Sequence, residues 1–421
     1  MPIQFTRFLY EKNDVKSSLI CSMLEKNLDD TIFWINELYN FNKKECWETI
    51  WEMYFDFYGL FNSPAETFIR NQYYGGKVYS DEELMEMAET KEGNAEVGGI
   101  KELILVCRNM IEWTPDPTVF LIHQCFKSTY PITGFRGPIK SWIKEYPAKY
   151  VNLVRALDKM NYRNIAYYLK KLMDDVDDGC CEDGVGGEGG MDGEGGSEGS
   201  VNACGEDGSE GGVYEEIINV VSKYFKEQKN FTFKDGLYNH LHLIPYTDKQ
   251  HIVLIIVIYL ANYNTKLDLN VNYLSERKDE IEMMNLIDNF KGVKVSKVLL
   301  DKRIPLCNSI YPFSRLNTDE KLLQWSQHIG ACLWWQNKLS KYNGYMDDGN
   351  IQFDTANARI NFRKKFNFVS GSTANMDKLN DIERDNRKTW RDWIDEHFPT
   401  FHENNLLKLD ELQLPATFQF S

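Results

Sequence analysis

A glycine-rich acidic segment divides this chain and limits what the sequence on either side can fold into. Residues 174–212 contain 14 Gly, 13 Asp or Glu, no Lys or Arg and no aromatic residue. Such a composition buries too little apolar surface to offset the entropy of ordering the backbone. We therefore predict a disordered acidic linker over 174–212, an N-terminal helical domain over 1–173 and a mainly helical C-terminal domain over 213–421.

The same segment accounts for most of the net charge. The chain carries a formal charge of −15, and removing the 13 acidic residues of the segment leaves −2. The low isoelectric point of about 5.1 is therefore a property of the linker and not of the folded parts. Nucleic-acid binding depends largely on neutralising phosphates with basic side chains. We therefore expect no nucleic-acid partner for two flanks that are nearly neutral.

Neither the N-terminus nor the cysteines suggest an extracellular protein. The first residues lack the apolar stretch of a signal peptide, and the nine Cys include no C-x-x-C pair. The longest apolar run, Ile252–Ala261, is half the length that a membrane span requires. We predict a protein that is not secreted and has no membrane span.

Apolar residues recur at helical spacing along most of the chain. The clearest stripe follows i, i+3, i+4, i+7, i+8 and i+11, and predicts a helix with one buried face. Its members are Trp47, Ile50, Trp51, Tyr54, Phe55 and Tyr58. A second, longer helix is predicted to begin at Thr318 or Asp319. It would carry on one face Leu322, Ser326, Ile329, Leu333, Gln336 and Leu339.

The spacing changes toward a period of two near residue 360, where apolar residues alternate at Ile360 and Phe362 and again at Phe366 and Phe368. Alternation of this kind is typical of strands. The sequence therefore predicts a mainly all-α protein with one small β-hairpin near 351–369.

Four short patterns resemble known sites but fit a structural interpretation better. The glycines of a dinucleotide loop lack the preceding strand and the following helix, and the histidines lack a full set of zinc ligands. The linker thiols lie among carboxylates that disfavour the thiolate, and the acidic turn lacks EF-hand spacing. The patterns are Gly184, Gly186 and Gly189; His240, His242 and His251; Cys180, Cys181 and Cys204; and 347–350 with Asp354. We predict no catalytic residue, cofactor or metal ion at any of them.

One basic cluster remains, with interleaved aromatic residues. Its cations are Arg359, Arg363, Lys364, Lys365, Arg384, Arg387, Lys388 and Arg391. Six acidic residues between 381 and 396 offset much of this charge. We interpret the cluster as the solvated face of an amphipathic helix, and the alternative is a nucleic-acid surface.

A local similarity links residues 24–35 (LEKNLDDTIFWI) and 157–168 (LDKMNYRNIAYY). The two segments lie 133 residues apart, whereas helical repeat proteins have periods of 20–50 residues. We interpret the similarity as coincidental.

The first part of the chain carries a family likeness. The segments FTRFLYEKNDVKSSLICSMLEKNLDDTIFWINELYNF (5–41) and CWETIWEMYFDFYGLFN (46–62) resemble an uncharacterised helical protein family of nucleocytoplasmic large DNA viruses, the giant viruses of algae and protists. The likeness is clear over roughly the first 65 residues. It implies a viral source and context but no activity, and no functional residues can be carried over.

These observations favour a non-enzymatic helical interaction or structural protein. Its role would be in the virion, in assembly or in contact with the host, with a viral or host protein as partner. We expect it in the host cytoplasm, at the viral factory, or in the virion. The alternative is an enzyme or nucleic-acid-processing factor whose site is assembled only in the fold.

Overall fold

The computed structural model describes residues 4–62, 65–76, 98–125, 141–144, 146–159, 162–178, 211–229, 325–347 and 350–366. These residues are mostly helical and include one two-stranded antiparallel sheet, which confirms the predicted fold class. Within these stretches no helix is both long and apolar enough to cross a membrane.

The N-terminal helices are α1 (Lys12–Leu24), α2 (Leu28–Phe41), α3 (Lys43–Met53), α4 (Ala65–Tyr73), α5 (Ile100–Glu112), α6 (Thr118–Cys125), α7 (Ala148–Asp158) and α8 (Tyr162–Asp178). A π-helical segment, Tyr54–Tyr58, continues α3, and a 3-10 turn spans Ser141–Ile143. The later elements are α9 (Gly211–Lys229), α10 (Trp325–His328), α11 (Leu333–Ser340), β1 (Gly344–Asp347), β2 (Asn350–Phe353) and α12 (Ala356–Lys365).

Short polar side chains begin several of these helices. The side-chain oxygen of Asn27 accepts a hydrogen bond from the Asp30 amide at the start of α2, and Asn42 does the same for Lys44 and Glu45 at the start of α3. Each cap satisfies backbone N–H groups that have no partner within the helix. Because α2 ends where the α3 cap begins, a single residue separates the two helices.

The aromatic stripe of α3 is buried as predicted. Trp47, Trp51 and Tyr58 are each at most 1% exposed. The helix widens to π geometry over its last five residues, all of which are buried. Helix α6 packs against this segment, and the Phe57 and Phe120 rings stack with their centroids 5.0 Å apart.

The two similar segments, 24–35 and 157–168, occupy equivalent places in the structure. The first spans the turn between α1 and α2, and the second spans the turn between α7 and α8. Both are pairs of consecutive helices in close contact. Each segment therefore covers the turn and the start of the second helix of a helical hairpin.

The helices on either side of the acidic segment extend into it and contact each other. Helix α8 continues to Asp178, five residues past the predicted boundary, and α9 already begins at Gly211. The Tyr150 hydroxyl donates to Glu216 at 2.6 Å, which joins α7 to α9. The rest of the predicted linker, 179–210, and most of 213–421 lie outside the described residues. The division into domains stays a prediction.

The helix predicted from Thr318 or Asp319 is interrupted in the part that the structure describes. Helix α10 ends at His328, and α11 begins only at Leu333 after a turn. A Cβ added to Gly330 in this turn would lie 2.9 Å from the Met346 side chain of β1, so the sheet packs closely there. The turn changes the direction of the chain. It leaves Leu333 exposed and buries Trp335 instead.

The small hairpin exists, but it lies upstream of its predicted position. Strands β1 and β2 pair from Gly344 opposite Phe353 to Asp347 opposite Asn350. The residues from Ile360 to Lys365 belong to α12, which the Thr355 hydroxyl caps. The apparent alternation was misleading because Phe362 and Phe366 are also spaced i, i+4, as one helix face requires.

Candidate functional site

A fully buried ion pair fixes the first described residues of the chain. The Arg7 guanidinium donates two hydrogen bonds to one oxygen of Glu37, at 2.8 and 3.1 Å. The Thr6 hydroxyl and the Phe8 amide donate to the other oxygen. Burial raises the pKa of Glu37, and the positive charge of Arg7 and these donors act against that rise. We call residues 4–11, which this carboxylate holds against α2, the N-terminal strap.

The C-terminal elements contact the same strap. The Trp335 indole N–H donates to the Thr6 carbonyl at 3.3 Å, and the Phe5 amide donates to the His328 carbonyl at 2.8 Å. The Cys332 thiol donates to the carbonyl of Asn40 in α2 at 3.7 Å. We call residues 325–347 and 350–366 the C-terminal unit. These contacts hold it on the N-terminal helices.

The inner side of the C-terminal unit is an aromatic cluster. Trp335 and Phe362 are at most 2% exposed, and the Trp335 ring lies 5.3 Å from Phe366 and 6.4 Å from Phe362. Phe353 of β2 lies 5.3 Å from Phe362. Edge-to-face and tilted contacts of this kind add to the burial of apolar area. The cluster therefore positions α12 through one buried side chain of the helix, Phe362, and through Phe366 directly after it.

The outer side of the C-terminal unit exposes both apolar and basic side chains. Leu333, Tyr345 and Ile360 are exposed by 41%, 53% and 48%, and they are the exposed large hydrophobic residues of the described stretches. Six cations accompany them: Lys338, Lys341, Arg359, Arg363, Lys364 and Lys365. The unit holds two acidic residues, Asp347 in β1 and Asp354 directly after β2. We call the outer surface formed by these three apolar side chains and six cations the cationic side.

Some of these cations lie close enough to repel each other. Partial burial lowers the pKa of Lys338, and the neighbouring charges of Lys341 and Lys365 lower it further. The Lys338 ammonium lies 4.8 Å from the centre of the Trp334 ring, a favourable cation–π position. None of the six cations forms an ion pair with a carboxylate in the described part of the chain. The cationic side is therefore suited to an anionic partner.

A second polar cluster lies at the π-helical segment. The His123 Nδ1 atom of α6 is 2.6 Å from the Asp56 carboxylate, and both side chains are largely buried. Burial raises the pKa of Glu52, one turn earlier, to about 7. Lys16 opposes that rise, while the charge of Asp56 adds to it. The π geometry, which often occurs at functional sites, places Asp56 opposite α6. This arrangement orients an imidazole but shields it from solvent.

The sequence pointed to only part of these clusters. It identified the basic residues from Arg359 to Lys365 but missed the approach of Lys365 to Lys338, which depends on how α12 packs against α11. The buried Asp56 carries a usable signal, since a lone carboxylate within the aromatic run YFDFY needs a partner once it is buried. Of the acidic turn, Asp347 and Asn350 lie in the hairpin strands and Asp354 lies directly after them. Three further predicted stretches lie outside the described residues: 180–204, 240–251 and 384–391.

The described residues hold no group of three or more His, Cys, Asp or Glu side chains that could bind a metal ion. Four cysteines, Cys21, Cys46, Cys107 and Cys332, are buried and form no disulfide bond among the described residues. Burial raises the pKa of the Cys332 thiol to about 12, which disfavours a nucleophilic thiolate. The chain matches no protein-family model, no curated protein and no solved structure.

Proposed function

We propose that this chain is a non-enzymatic helical interaction protein of a large DNA virus that binds an acidic protein partner through the cationic side. The observation that carries the proposal is that one unit exposes apolar side chains together with basic side chains that have no ion-pair partner among the described residues. Tyr and Arg are common at the centres of protein interfaces, and this surface offers Tyr345, Arg359 and Arg363.

The rigid seating of the C-terminal unit supports the proposal. The Trp335 hydrogen bond and the contacts of Phe5 and Cys332 fix the unit before any partner arrives. A surface that is already ordered loses less conformational entropy on binding than a flexible one. The interior of the unit supplies stability, and its outer side chains remain available for contact.

A defined acidic peptide tests the proposal. We expect the full-length protein to bind a synthetic Glu-rich peptide that contains Tyr and Leu, measured by fluorescence anisotropy at low and physiological salt. The double variant Arg359→Glu/Arg363→Glu should bind at least about tenfold more weakly, because it replaces attraction by repulsion. The matched control, Lys101→Glu/Lys226→Glu, changes the same total charge at exposed positions on α5 and α9 and should bind like the wild type.

Equal weakening in both variants would show a general charge effect and would contradict a localised surface. Tighter binding of single-stranded DNA than of the acidic peptide would replace the proposal by the nucleic-acid alternative. The viral part of the proposal predicts that mass spectrometry finds the protein in purified particles or at the viral factory of infected cells.

The Asp56–His123 pair favours a second candidate function, an enzyme that uses an oriented imidazole as a general acid or base. Diethyl pyrocarbonate, which modifies accessible imidazoles, distinguishes the two. Slow modification of His123 in the folded protein, compared with the unfolded protein, indicates a structural pair. Fast modification that Asp56→Asn slows would favour the enzyme.

A further inference from the structure

We infer that the acidic segment 179–210 of the same chain docks on the cationic side and competes with the external partner. This inference rests on the proposed function of that surface and adds its regulation. The cationic side and the segment are opposite in charge, and they belong to one polypeptide.

The acidic segment and the cationic side carry complementary charges. Residues 179–210 contain nine Asp or Glu and no Lys or Arg. The cationic side contributes six cations that pair with no carboxylate among the described residues. Partial burial lowers the pKa of one of them, Lys338, and the nearby charges of Lys341 and Lys365 lower it further. A nearby polyanion would relieve this repulsion. Elsewhere in the described stretches, by contrast, the lysines Lys12 and Lys16 already pair with Glu45 at 3.0 Å.

The acidic segment is covalently attached at both ends to helices that the structure describes. The segment joins Asp178 at the end of α8 to Gly211 at the start of α9, and both helices pack against α7. A chain of this length spans at most about 100 Å when extended, several times the diameter of a small domain of roughly 30 Å. Reach is therefore no obstacle. A tethered ligand competes at an effective concentration on the order of millimolar, which few free partners exceed.

The composition of the segment determines which external ligands it can exclude from the cationic side. It contains twelve Gly and no aromatic residue, and its large aliphatic side chains are Val185, Met191 and Val201. It therefore offers many carboxylates but little apolar surface to cover Leu333, Tyr345 and Ile360. An external partner that supplies both carboxylates and apolar side chains would displace it. The segment would thereby exclude ligands that are merely acidic and admit those that also fit the apolar residues.

A cross-linking map in the full-length protein tests the docking itself. A carbodiimide joins carboxylates to amines that are in direct contact, and peptide mass spectrometry identifies the joined residues. We expect cross-links from the acidic residues of 182–210 mainly to Lys338, Lys341, Lys364 and Lys365. Lys44, Lys101 and Lys226, which are also exposed, are the internal controls. An even distribution over all exposed lysines, or none at the cationic side, would overturn the inference.

A peptide-binding comparison tests the competition. One variant replaces all nine acidic residues of 182–210 by their amides, and its matched control permutes the same segment while keeping its composition. We expect the neutralised variant to bind the Glu-rich peptide about tenfold more tightly than the wild type, as removal of a competitor that occupies about nine-tenths of the sites requires. The permuted control should bind like the wild type.

The two proposals fail in different ways. Peptide binding of equal strength in all variants, with cross-links spread evenly, refutes self-docking and leaves the interaction surface in place. Cross-links concentrated at the cationic side, with no peptide binding in any variant, support self-docking and refute the external partner. The tighter peptide binding of the neutralised variant should shrink as salt is added, because salt weakens a competitor that is held by charge. A difference in peptide affinity that salt does not reduce would also contradict self-docking.

Discussion

Substituting Arg7 should show how much unfolding free energy is lost when the buried Glu37 carboxylate has no cation beside it. In the variant Arg7→Met, Glu37 loses two of its four hydrogen bonds and its only ion-pair partner among the described residues, while Thr6 and Phe8 still donate. Breaking a buried ion pair on one side typically costs about 3–5 kcal/mol of unfolding free energy. Because Glu37 is fully buried, we expect a loss in that range.

The double variant Arg7→Met/Glu37→Gln should be more stable than Arg7→Met alone. The amide oxygen of Gln can still accept from Thr6 and Phe8, and the buried charge is gone. The cost that remains is about 1–3 kcal/mol for the buried amide N–H donors that find no partner. The unfolding free energy of the double variant should therefore exceed that of Arg7→Met by roughly 2 kcal/mol, whereas independent substitutions would add their losses.

Urea denaturation followed by circular dichroism, at about pH 5 and pH 7.5, checks both values and the sign of their pH dependence. Burial raises the pKa of Glu37 in the folded protein, so the folded state binds the proton more tightly than the unfolded state does. The loss caused by Arg7→Met should therefore shrink at the lower pH. A loss under about 1 kcal/mol, or a double variant as unstable as the single one, would refute the reasoning.

Three further perturbations have defined outcomes. Trp51→Ala should cost about 3–5 kcal/mol in thermal or urea unfolding, since this fully buried indole packs on Tyr54 and Phe55. The pKa of Glu52 is raised to about 7, so its ionisation lowers stability as the pH rises from 4.5 to 7. Glu52→Gln should remove that decline, worth about 1–2 kcal/mol for a partly exposed side chain, whereas Glu25→Gln at an exposed site should not. Trp335→Phe should lower stability by about 0.5–1.5 kcal/mol, because the buried Thr6 carbonyl loses one of its two donors and keeps the Leu9 amide.

The sequence predicted helices correctly where the evidence for them was the spacing of residues close together in the chain. The stripe from Trp47 to Tyr58 specified both a helix and its buried face, because residues three and four apart lie together on any helix. The pattern did not indicate the change to π geometry at Tyr54, which depends on the packing of α6.

The errors share one cause, which is that tertiary contacts decided between local alternatives. Gly330 and the approach of β1 interrupt the helix predicted from residue 318, and this turn exchanges Leu333 for Trp335 in the core. The candidate surface was predictable only as a run of basic residues on α12. Its combination with Lys338 and its seating on Thr6 involve residues that are distant in the sequence.

The joint between the N-terminal strap and the C-terminal unit has a consequence for the order in which the chain acquires its structure during translation. The Thr6 carbonyl and its Trp335 donor are 329 residues apart. At 5–20 residues per second, the ribosome needs roughly 16–66 s to synthesise the intervening chain. Throughout that interval the strap can dock on α2 through Glu37, but the side of the strap that later contacts the C-terminal unit stays exposed to solvent. A product truncated before Trp325 would keep this side exposed permanently, and it should be a better chaperone substrate than the complete chain.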